Sequence, residues 1–264
     1  MISEEIRKKI ETTDYTMLNG RYQNRAGRLF SRVTTIIGMV KFDDGFLEKW
    51  RKKMAIKDFC NRIDMHGIYK GDKVFEEFSQ ALGAADEYTF SSASFGTKVH
   101  KWIEDYMLTG KFPILPTDEY ANVGMCVESV KKFLTDAKIS PTSVDVIKPE
   151  MFVYSEKYGY AGSADFVCAK NDNVYLFDWK TSNRYYINYA LQLAAYAKAI
   201  EELYGLHVKK ASCVVFGKEK VEYDVHTYTD TELDYYFELF KACLVMHNFV
   251  KHYPIPNVSI EVKQ

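Results

Sequence analysis

Two short hydrophobic segments on either side of a polar tetrapeptide form the clearest pattern in this chain of 264 residues. Residues 161–169 and 174–181 are rich in β-branched and aromatic side chains, and residues 170–173 (KNDN) between them are typical of a turn. The pattern predicts a β-hairpin. If the turn is symmetric, Asp165 lies directly opposite Asp178, with Cβ atoms roughly 4.5–5.5 Å apart.

Alternation along the second strand separates its charged side chains from its aromatic ones. A period of two places Lys180 on the same face as Asp178. Phe177 and Trp179 point to the opposite face, which an apolar layer can cover. Two acids and one ammonium group are therefore predicted to converge on one face of the hairpin.

Helical periodicity marks the segments before and after the hairpin. Residues 187–204 predict a helix in which Gln192 and Tyr196 lie four residues apart on one face. Residues 95–108 predict a second helix, whose apolar stripe leaves His100 one step to the side. The hairpin is thus expected to have a helix on each side of it along the chain.

The remaining segments complete a single α/β unit with a mixed sheet and flanking helices. Residues 148–154 predict a strand that turns back and pairs with the strand carrying Asp165, which brings Glu150 near that carboxylate. Two further strands and a closing helix follow, at 209–216, 221–228 and 229–252. Residues 1–90 are predicted to be mainly helical after a short strand at 32–39.

Paired carboxylates beside an ammonium group suit phosphodiester hydrolysis. Mg²⁺ and Mn²⁺ prefer carboxylate and water ligands, and they activate water while neutralising phosphate charge. Lys180 would orient that water or stabilise the developing charge. The alternative is an exposed sheet face on which Lys180 only offsets Asp165 and Asp178, because D-x-K is a common tripeptide.

Five sequence elements, in order and at the usual spacing, resemble the PD-(D/E)XK nuclease superfamily, and within it the RecB-like exonucleases with their phage and mitochondrial single-domain members. These elements are Gly96-Thr97-Lys98-Val99-His100, Glu150, Gly162-x-x-Asp165, Asp178-Trp179-Lys180-Thr181-Ser182 and Gln192-x-x-x-Tyr196. The resemblance covers roughly residues 91–205. It implies a restriction-endonuclease-like core at 91–264, with a mixed β-sheet flanked by helices, and an N-terminal mainly helical cap at 1–90.

The resemblance also implies roles for the residues of these elements. The implied metal ligands are His100, Asp165 and Asp178, and the implied catalytic residues are Lys180, Asp165, Asp178, Gln192, Tyr196 and Glu150. Gln192 and Tyr196 would support the lysine or contact the DNA backbone. Structural alternatives stay open: a histidine on a helix edge is often a hydrogen-bonded surface residue, Tyr196 could pack, Gln192 could be solvated, and Glu150 could be an exposed structural glutamate.

Positive charge is concentrated in one part of the chain, although the formal net charge of the whole is only −1. Residues 21–70 hold 12 Lys and Arg against five acids. We expect this segment to bind phosphate groups beside the active site, and the alternative is a solvated helix face. The candidate DNA-contacting residues are Arg21, Arg25 and Arg28 in an irregular arm and Lys49, Lys52, Lys53 and Lys57 on a helix.

Composition limits the remaining possibilities. A chain with 47% apolar content and 264 residues can bury a sizeable core but leaves no room for a fused helicase. No run of 18 or more apolar residues occurs, and the first residues, MISEEIRKKIETTD, lack the features of a signal peptide. We expect an intracellular protein without membrane contact, in the host cytoplasm if it is viral.

Cysteine usage bears on the cofactor. The five cysteines are odd in number and dispersed, which suits a reducing compartment. Several RecB-like relatives bind an iron–sulfur cluster through one upstream and three closely spaced C-terminal cysteines, whereas Cys213 and Cys243 stand thirty residues apart. We therefore expect Mg²⁺ or Mn²⁺ and no iron–sulfur cluster.

The activity implied by the resemblance is metal-dependent hydrolysis of DNA by an exonuclease that acts on single-stranded or duplex ends, in recombination, repair or end processing, as in phage members. A recombinase or a single-strand-binding protein is a candidate partner. A structure-specific endonuclease is the nearest alternative, and a non-catalytic DNA-binding protein is the alternative of another class. An RNA-directed nuclease also stays open, because metal-assisted cleavage needs no 2′-hydroxyl.

Overall fold

The computed structural model describes residues 2–39, 53, 56 and 93–252, which form both helices and strands. In chain order they are α1 (Glu4–Thr12), β1 (Tyr15–Leu18), β2 (Arg21–Asn24), β3 (Leu29–Arg32), α2 (Val33–Ile37), α3 (93–109), α4 (Thr117–Asp136), β4 (Asp145–Ser155), β5 (Tyr160–Lys170), β6 (Asn173–Lys180), α5 (Asn188–Tyr204), β7 (Val208–Phe216), β8 (Tyr223–Thr229) and α6 (Asp230–His252). Of the helices in these ranges, none combines the length and apolar character of a bilayer span.

All the described strands join one eight-stranded sheet, in the order β1-β2-β3-β5-β6-β7-β8, with β4 paired to β5. The β3–β5 and β6–β7 pairs are parallel and the other pairs are antiparallel. The prediction of a mixed sheet flanked by helices is confirmed. This arrangement agrees with a restriction-endonuclease-like core.

Two strands, β3 and β6, pair with different parts of β5. Strand β4 pairs with nearly the whole of β5, so β3 and β6 must share the opposite edge. Strand β3 pairs there with Tyr160 and Ala161, whereas β6 pairs only from Phe166 onward. Residues 162–165 therefore lie between two strands that diverge, and their backbone groups on this edge face a gap.

The predicted hairpin forms in the predicted register. Asn171 and Asp172 both have positive φ, +50° and +60°, as a two-residue turn between antiparallel strands requires. Pairing runs from Lys170↔Asn173 to Phe166↔Phe177. The ladder ends there, one step before Asp165 and Asp178 would pair.

Two helical layers cover the sheet. Helices α1, α2, α5 and α6 pack on one face, and α3 and α4 pack on the other. Trp179 is 2% exposed and contacts the rings of Phe133, Phe166, Phe177 and Phe216 on the α3–α4 side. The predicted apolar cover over Phe177 and Trp179 is confirmed. Burial of the aromatic face therefore fixes which face of β6 carries Asp178 and Lys180.

In the N-terminal segment one local prediction is wrong and another is only partly correct. The β-branched run at 32–39 forms helix α2 rather than a strand, because Val33, Ile36 and Ile37 recur at helical spacing and are buried against α5 and α6. The expected irregular arm is only partly irregular: Arg21 lies in strand β2, which pairs with β1 and β3, whereas Arg25 and Arg28 lie in the turn between β2 and β3. Strand β3 in turn joins β5, so the described N-terminal residues share the sheet of the core, and a division of the chain near residue 90 stays a prediction.

Candidate active site

His100 lies beside the end of β6 because of its place on α3. Val99, Ile103 and Met107 form the buried stripe of this helix, as predicted, and His100 lies one step to the side. Its Nε2 lies 2.9 Å from the carbonyl oxygen of Trp179. A carbonyl can only accept, so Nε2 carries the proton and Nδ1 faces two carboxylates.

Asp165 occupies the gap in the sheet. Its Oδ2 accepts a 2.7 Å hydrogen bond from the backbone N–H of Trp179, which takes the place of the next ladder bond. Its Oδ1 lies 3.7 Å from His100 Nδ1. One oxygen of this carboxylate is therefore used to hold the two strands, and the other faces the imidazole.

Glu150 reaches the same point from β4. The neighbouring pairs Pro149↔Phe166 and Met151↔Ala164 set Glu150 opposite Asp165, where the ladder is interrupted. Its φ is +47°, a left-handed conformation that costs a non-glycine residue about 1 kcal/mol. Oε1 lies 3.7 Å from His100 Nδ1. Backbone strain of this kind is typical of functional sites, and here it accompanies a carboxylate that reaches the His100 imidazole.

His100, Glu150 and Asp165 together could hold a metal ion. One ligand atom from each lies within 4.8 Å of the others. Two carboxylates and one imidazole form an oxygen-rich donor set, which favours Mg²⁺ or Mn²⁺ over a structural zinc. The structure thus brings His100 and Asp165 together as predicted and adds Glu150, while Asp178 lies next to this group.

Asp178 and Lys180 form a buried pair behind the three metal-ligand candidates. Asp178 is 1% exposed, and Lys180 Nζ lies 2.6 Å from its Oδ2. This contact is a buried ion pair that occupies Oδ2, whereas Oδ1 has no hydrogen-bond partner within the described residues. A buried carboxylate oxygen without a partner is costly unless a cation satisfies it, so Oδ1 of Asp178 fits a place beside a divalent ion.

Gln192 and Tyr196 hold Lys180 from the side of α5. Lys180 Nζ donates to Gln192 Oε1 at 3.3 Å, and Gln192 Nε2 donates to Tyr196 Oη at 3.1 Å. Both side chains are buried, as is most of the face of α5 that carries them. Of the two predicted roles, these contacts favour support of the lysine over contact with DNA.

Gly162 is needed because Tyr196 lies against it. A Cβ on Gly162 would come within 2.7 Å of Tyr196 Oη, closer than side chains tolerate. The glycine of the Gly162-x-x-Asp165 element therefore makes room for the tyrosine of α5. This contact joins the gap in β5 to the hydrogen bonds that hold Lys180.

Burial and neighbouring charges together raise the pKa values of His100, Asp165 and Lys180. Burial opposes the charge of His100, but Asp165 and Glu150 outweigh it and raise its pKa to about 9. Burial raises the pKa of Asp165 well above its usual range, against the charge of His100. Burial also opposes the charge of Lys180, yet Asp178 and Asp165 raise its pKa. A divalent ion would compete with the proton that His100 holds for the same carboxylates.

The structure describes only some of the candidate DNA-contacting residues. Arg21 donates to the Leu29 carbonyl at 3.3 Å, Arg28 donates to the Glu156 carbonyl at 2.7 Å, and Arg25 lies 3.9 Å from Asp14. Lys53 is exposed. Lys49, Lys52 and Lys57 lie outside the described residues. The expected DNA-contacting surface formed by these residues stays a prediction.

Of three residues beside the site, Arg32 and Tyr189 were not singled out from the sequence, and Tyr22 was expected there only as part of the phosphate-binding segment. Arg32 lies over the ring of Tyr22, at 5.9 Å, and pairs in the sheet with Ala161. Burial raises the pKa of Tyr22, and the charge of Glu150 adds to it, so this phenol lies near the carboxylate. Tyr189 lies under Lys180, with Nζ 4.9 Å from the ring centre. Tyr189 could have been found, because it precedes Gln192 and Tyr196 by three and seven residues on one helix face.

Comparison with known proteins finds little. No protein-family model matches the chain, and no curated protein matches it. A crystal structure of LHK-Exo in complex with dAMP is similar over 59% of this chain and 84% of that chain, with 12% sequence identity and a TM-score of 0.29.

Proposed function

We propose that this protein is a divalent-metal-dependent nuclease that hydrolyses phosphodiester bonds at DNA ends. The observation that carries the proposal is the grouping of His100, Glu150 and Asp165 within 4.8 Å, directly beside the buried pair of Asp178 and Lys180. Its exonuclease part rests on the sequence resemblance to RecB-like members. The setting we propose is recombination, repair or end processing, as in phage.

Mg²⁺ or Mn²⁺ is the cofactor that the donor set fits. His100, Glu150, Asp165 and Asp178 would hold it, and a bound ion of this kind neutralises phosphate charge and makes water a better nucleophile. Two features of these residues support the fit. The Trp179 carbonyl turns His100 Nδ1 toward the carboxylates, as carbonyls commonly do for metal-binding histidines. Glu150 keeps a strained backbone that brings its side chain to the same place.

Lys180 would act as a cation and hydrogen-bond donor. Its raised pKa keeps the ammonium group protonated at neutral pH, so it does not take a proton from water. A fixed ammonium group stabilises negative charge that develops on a phosphate or holds the attacking water. Gln192 sets the position of this group, and Tyr196 sets the position of Gln192.

Cleavage of labelled DNA tests the proposal. End-labelled linear single-stranded and duplex DNA and a closed single-stranded circle are incubated with the protein in Mg²⁺, Mn²⁺ or EDTA. Asp178→Asn is the inactive variant, and Asp172→Asn, in the exposed turn at the other end of β6, is its matched control. We expect metal-dependent loss of linear DNA alone, abolished by Asp178→Asn and retained by Asp172→Asn.

Other outcomes of this assay change the assignment. Cleavage of the circle identifies an endonuclease, and equal cleavage of an RNA of the same sequence extends the substrate to RNA. Cleavage that persists in EDTA or in Asp178→Asn overturns the metal site. Binding without cleavage of any substrate supports a non-catalytic DNA-binding protein.

A further inference from the structure

We infer that Arg21, His247 and Lys251 form a binding site for a phosphate group, where β2 and β3 meet the last turns of α6. A phosphate of the DNA backbone and a free phosphate or nucleotide offer the same chemistry, so the experiment must separate these two sources. This site goes beyond the proposed nuclease activity and does not depend on it, because its residues lie outside the group of metal-ligand candidates.

Three elements bring the polar side chains of this cluster together. The register of β2 against β3 sets Arg21 across from Ser31, with Cβ atoms roughly 4.5–5.5 Å apart. His247 of α6 reaches the same point, with its Nε2 3.0 Å from Ser31 Oγ. Lys251 lies one turn further along α6, next to His247 on the helix surface. The cluster is therefore closed at the buried Ser31 and open to solvent at Lys251.

Arg21 is half-buried and has no counter-charge. It forms no ion pair with any other residue that the structure describes. Its Nε is buried without a hydrogen-bond partner among those residues, and Nη2 donates a single bond, of 3.3 Å, to the Leu29 carbonyl. An arginine that is partly removed from water usually pairs with an acid, because an unpaired buried charge is costly. A bound anion would supply the missing acceptors.

The charges that surround His247 are positive. Burial lowers the pKa of His247, and the charges of Lys251 and Arg21 lower it further, so both cations act on the imidazole. Residues 15–39 and 239–252 contain β1, β2, β3, α2 and the second half of α6, and they hold no Asp or Glu. The chain as a whole holds 36 of these acids against 35 Lys and Arg. The segments around the cluster therefore supply no acid to neutralise it, and a phosphate group would.

Stabilisation of α6 explains only part of the cluster. Lysine and histidine in the last turns of a helix interact favourably with its carbonyl end. Arg21 lies on a strand, and its proximity to a second cation is unfavourable unless an anion lies between them. A planar guanidinium group, an ammonium group and the hydroxyl of Ser31 together match the several oxygens of a phosphate. Phosphate is therefore the anion that this donor set fits.

The cluster lies apart from the candidate active site. Ser31 pairs with Tyr160, which precedes Asp165 on β5 by five residues, or roughly 15 Å of strand. One strand of a DNA duplex rises 3.4 Å per nucleotide, so a backbone phosphate in the cluster would lie roughly four or five nucleotides from the cleaved bond. A DNA strand bound here would thus be held well behind its end.

Titration of the His247 ring tests the inference at the cluster itself. The Asp178→Asn chain is labelled with ¹⁵N at its histidines and followed by NMR in EDTA, at constant pH and ionic strength. One probe is inorganic phosphate, with chloride as the reference anion. The other is an oligothymidylate of about 15 nucleotides with unphosphorylated ends, which offers only backbone phosphates. His247→Gln assigns the signal, and His207, which lies between Glu201 and Asp230, is the internal control.

Removal of single charges identifies the binding residues. Arg21→Gln is compared with Arg7→Gln, a half-buried arginine that Asp145 already neutralises. Lys251→Gln, at an exposed position where folding is not at risk, is compared with Lys241→Gln on the same helix. Phosphate should move the histidine signal to saturation in the parent. Arg21→Gln should weaken this binding about tenfold and Lys251→Gln about threefold, and the two control variants should bind like the parent.

The two probes separate the sources of the phosphate. A His247 signal that moves with the oligonucleotide assigns the cluster to backbone phosphates. The slope of log affinity against log salt should then fall by about 0.7 for each charge removed at the cluster, and not in the controls. A signal that moves with inorganic phosphate alone, with equal oligonucleotide affinity in all chains, assigns it to free phosphate or a nucleotide. No saturable movement with either probe, or equal weakening by the control variants, would overturn the inference.

Discussion

Asp165 accepts a 2.7 Å hydrogen bond from the backbone N–H of Trp179 at the point where β5 and β6 stop pairing. The side chain of Asp165 on β5 thereby replaces a backbone carbonyl as the acceptor for this N–H group of β6. The backbones of the two strands are no longer paired beyond Phe166 and Phe177. Asp178, which continued pairing would set opposite Asp165, is left facing Lys180. The end of this hairpin ladder is therefore what separates the metal-ligand candidates from the buried ion pair.

Replacing Lys180 with Met should lower both turnover and stability. Loss of a positioned cation should reduce single-turnover cleavage by about 10²-fold or more. The change also leaves Asp178 buried without its partner, so the free energy of unfolding should fall by about 3–5 kcal/mol. Chemical denaturation in urea measures this fall.

Two further variants test the cause of that loss. Lys180→Met combined with Asp178→Asn should recover much of the stability, because the uncompensated charge is gone. Lys101→Met removes an exposed lysine 2.8 Å from Asp105 and should leave stability nearly unchanged, because solvent screens exposed ion pairs. Equal losses in the single and double variants would contradict a charge penalty at Asp178.

Tyr196→Phe should slow cleavage modestly by freeing Gln192. The phenol oxygen accepts from Gln192 Nε2 at 3.1 Å, and its removal leaves a buried amide donor unsatisfied. We expect a loss of about 1–3 kcal/mol in stability and a several-fold lower turnover with unchanged substrate affinity. Tyr204→Phe is the control on the same helix, since its hydroxyl lies 3.4 Å from the Phe152 carbonyl, away from Lys180. Comparable kinetic effects of the two substitutions would exclude a specific role for Tyr196.

Gly162→Ala should displace Tyr196 from the site. The added Cβ would meet the tyrosine ring and lie 2.7 Å from its hydroxyl, so about 1–3 kcal/mol of stability should be lost to overpacking. Gly96→Ala is a milder test, because its Cβ would lie 3.2 Å from Thr181 Oγ1. Thermal denaturation compares the two, and a smaller effect at Gly162 than at Gly96 would argue against the close contact.

Comparison of Glu150→Gly with Glu150→Ala isolates the backbone strain. At a φ of +47° glycine is favoured, so the glycine variant should be more stable than the alanine variant by about 1 kcal/mol. Both variants should bind Mn²⁺ more weakly, since each removes the same carboxylate. Urea denaturation in EDTA measures the first effect and calorimetric titration with Mn²⁺ the second. Equal stability of the two variants would show that the backbone of Glu150 is not strained. Unchanged Mn²⁺ affinity would show that Glu150 is not a metal ligand.

His247 should make stability depend on pH. Burial lowers its pKa from the usual 6.5, and the charges of Lys251 and Arg21 add to this, while Nε2 lies 3.0 Å from Ser31 Oγ. The unfolded chain then takes up the proton first, so stability should fall as pH decreases below about 6.5. His247→Gln should flatten this part of the profile, measured by urea denaturation between about pH 7 and 5. An unchanged slope would assign the pH dependence to other groups.

Local patterns in the sequence were sufficient for the hairpin that carries the site. Alternation and a polar turn predicted both strands and their register, because a slip by one residue would expose Trp179 and bury charge. Helical spacing placed His100 beside the apolar stripe of α3 and put Gln192 and Tyr196 on one face of α5. These features depend on neighbours in sequence, so the sequence alone predicted them.

Tertiary structure decided the rest. The β-branched run of α2 became a helix because burial against α5 and α6 outweighed strand propensity. The left-handed backbone of Glu150, the gap at 162–165 and the hydrogen bond from Trp179 to Asp165 arise where strands distant in sequence diverge. The contact between the hydroxyl groups of Tyr185 and Tyr228 likewise joins residues 43 positions apart along the chain. By itself the sequence determined which chemical groups this protein carries and their local spacing, and long-range packing decided which of those groups meet.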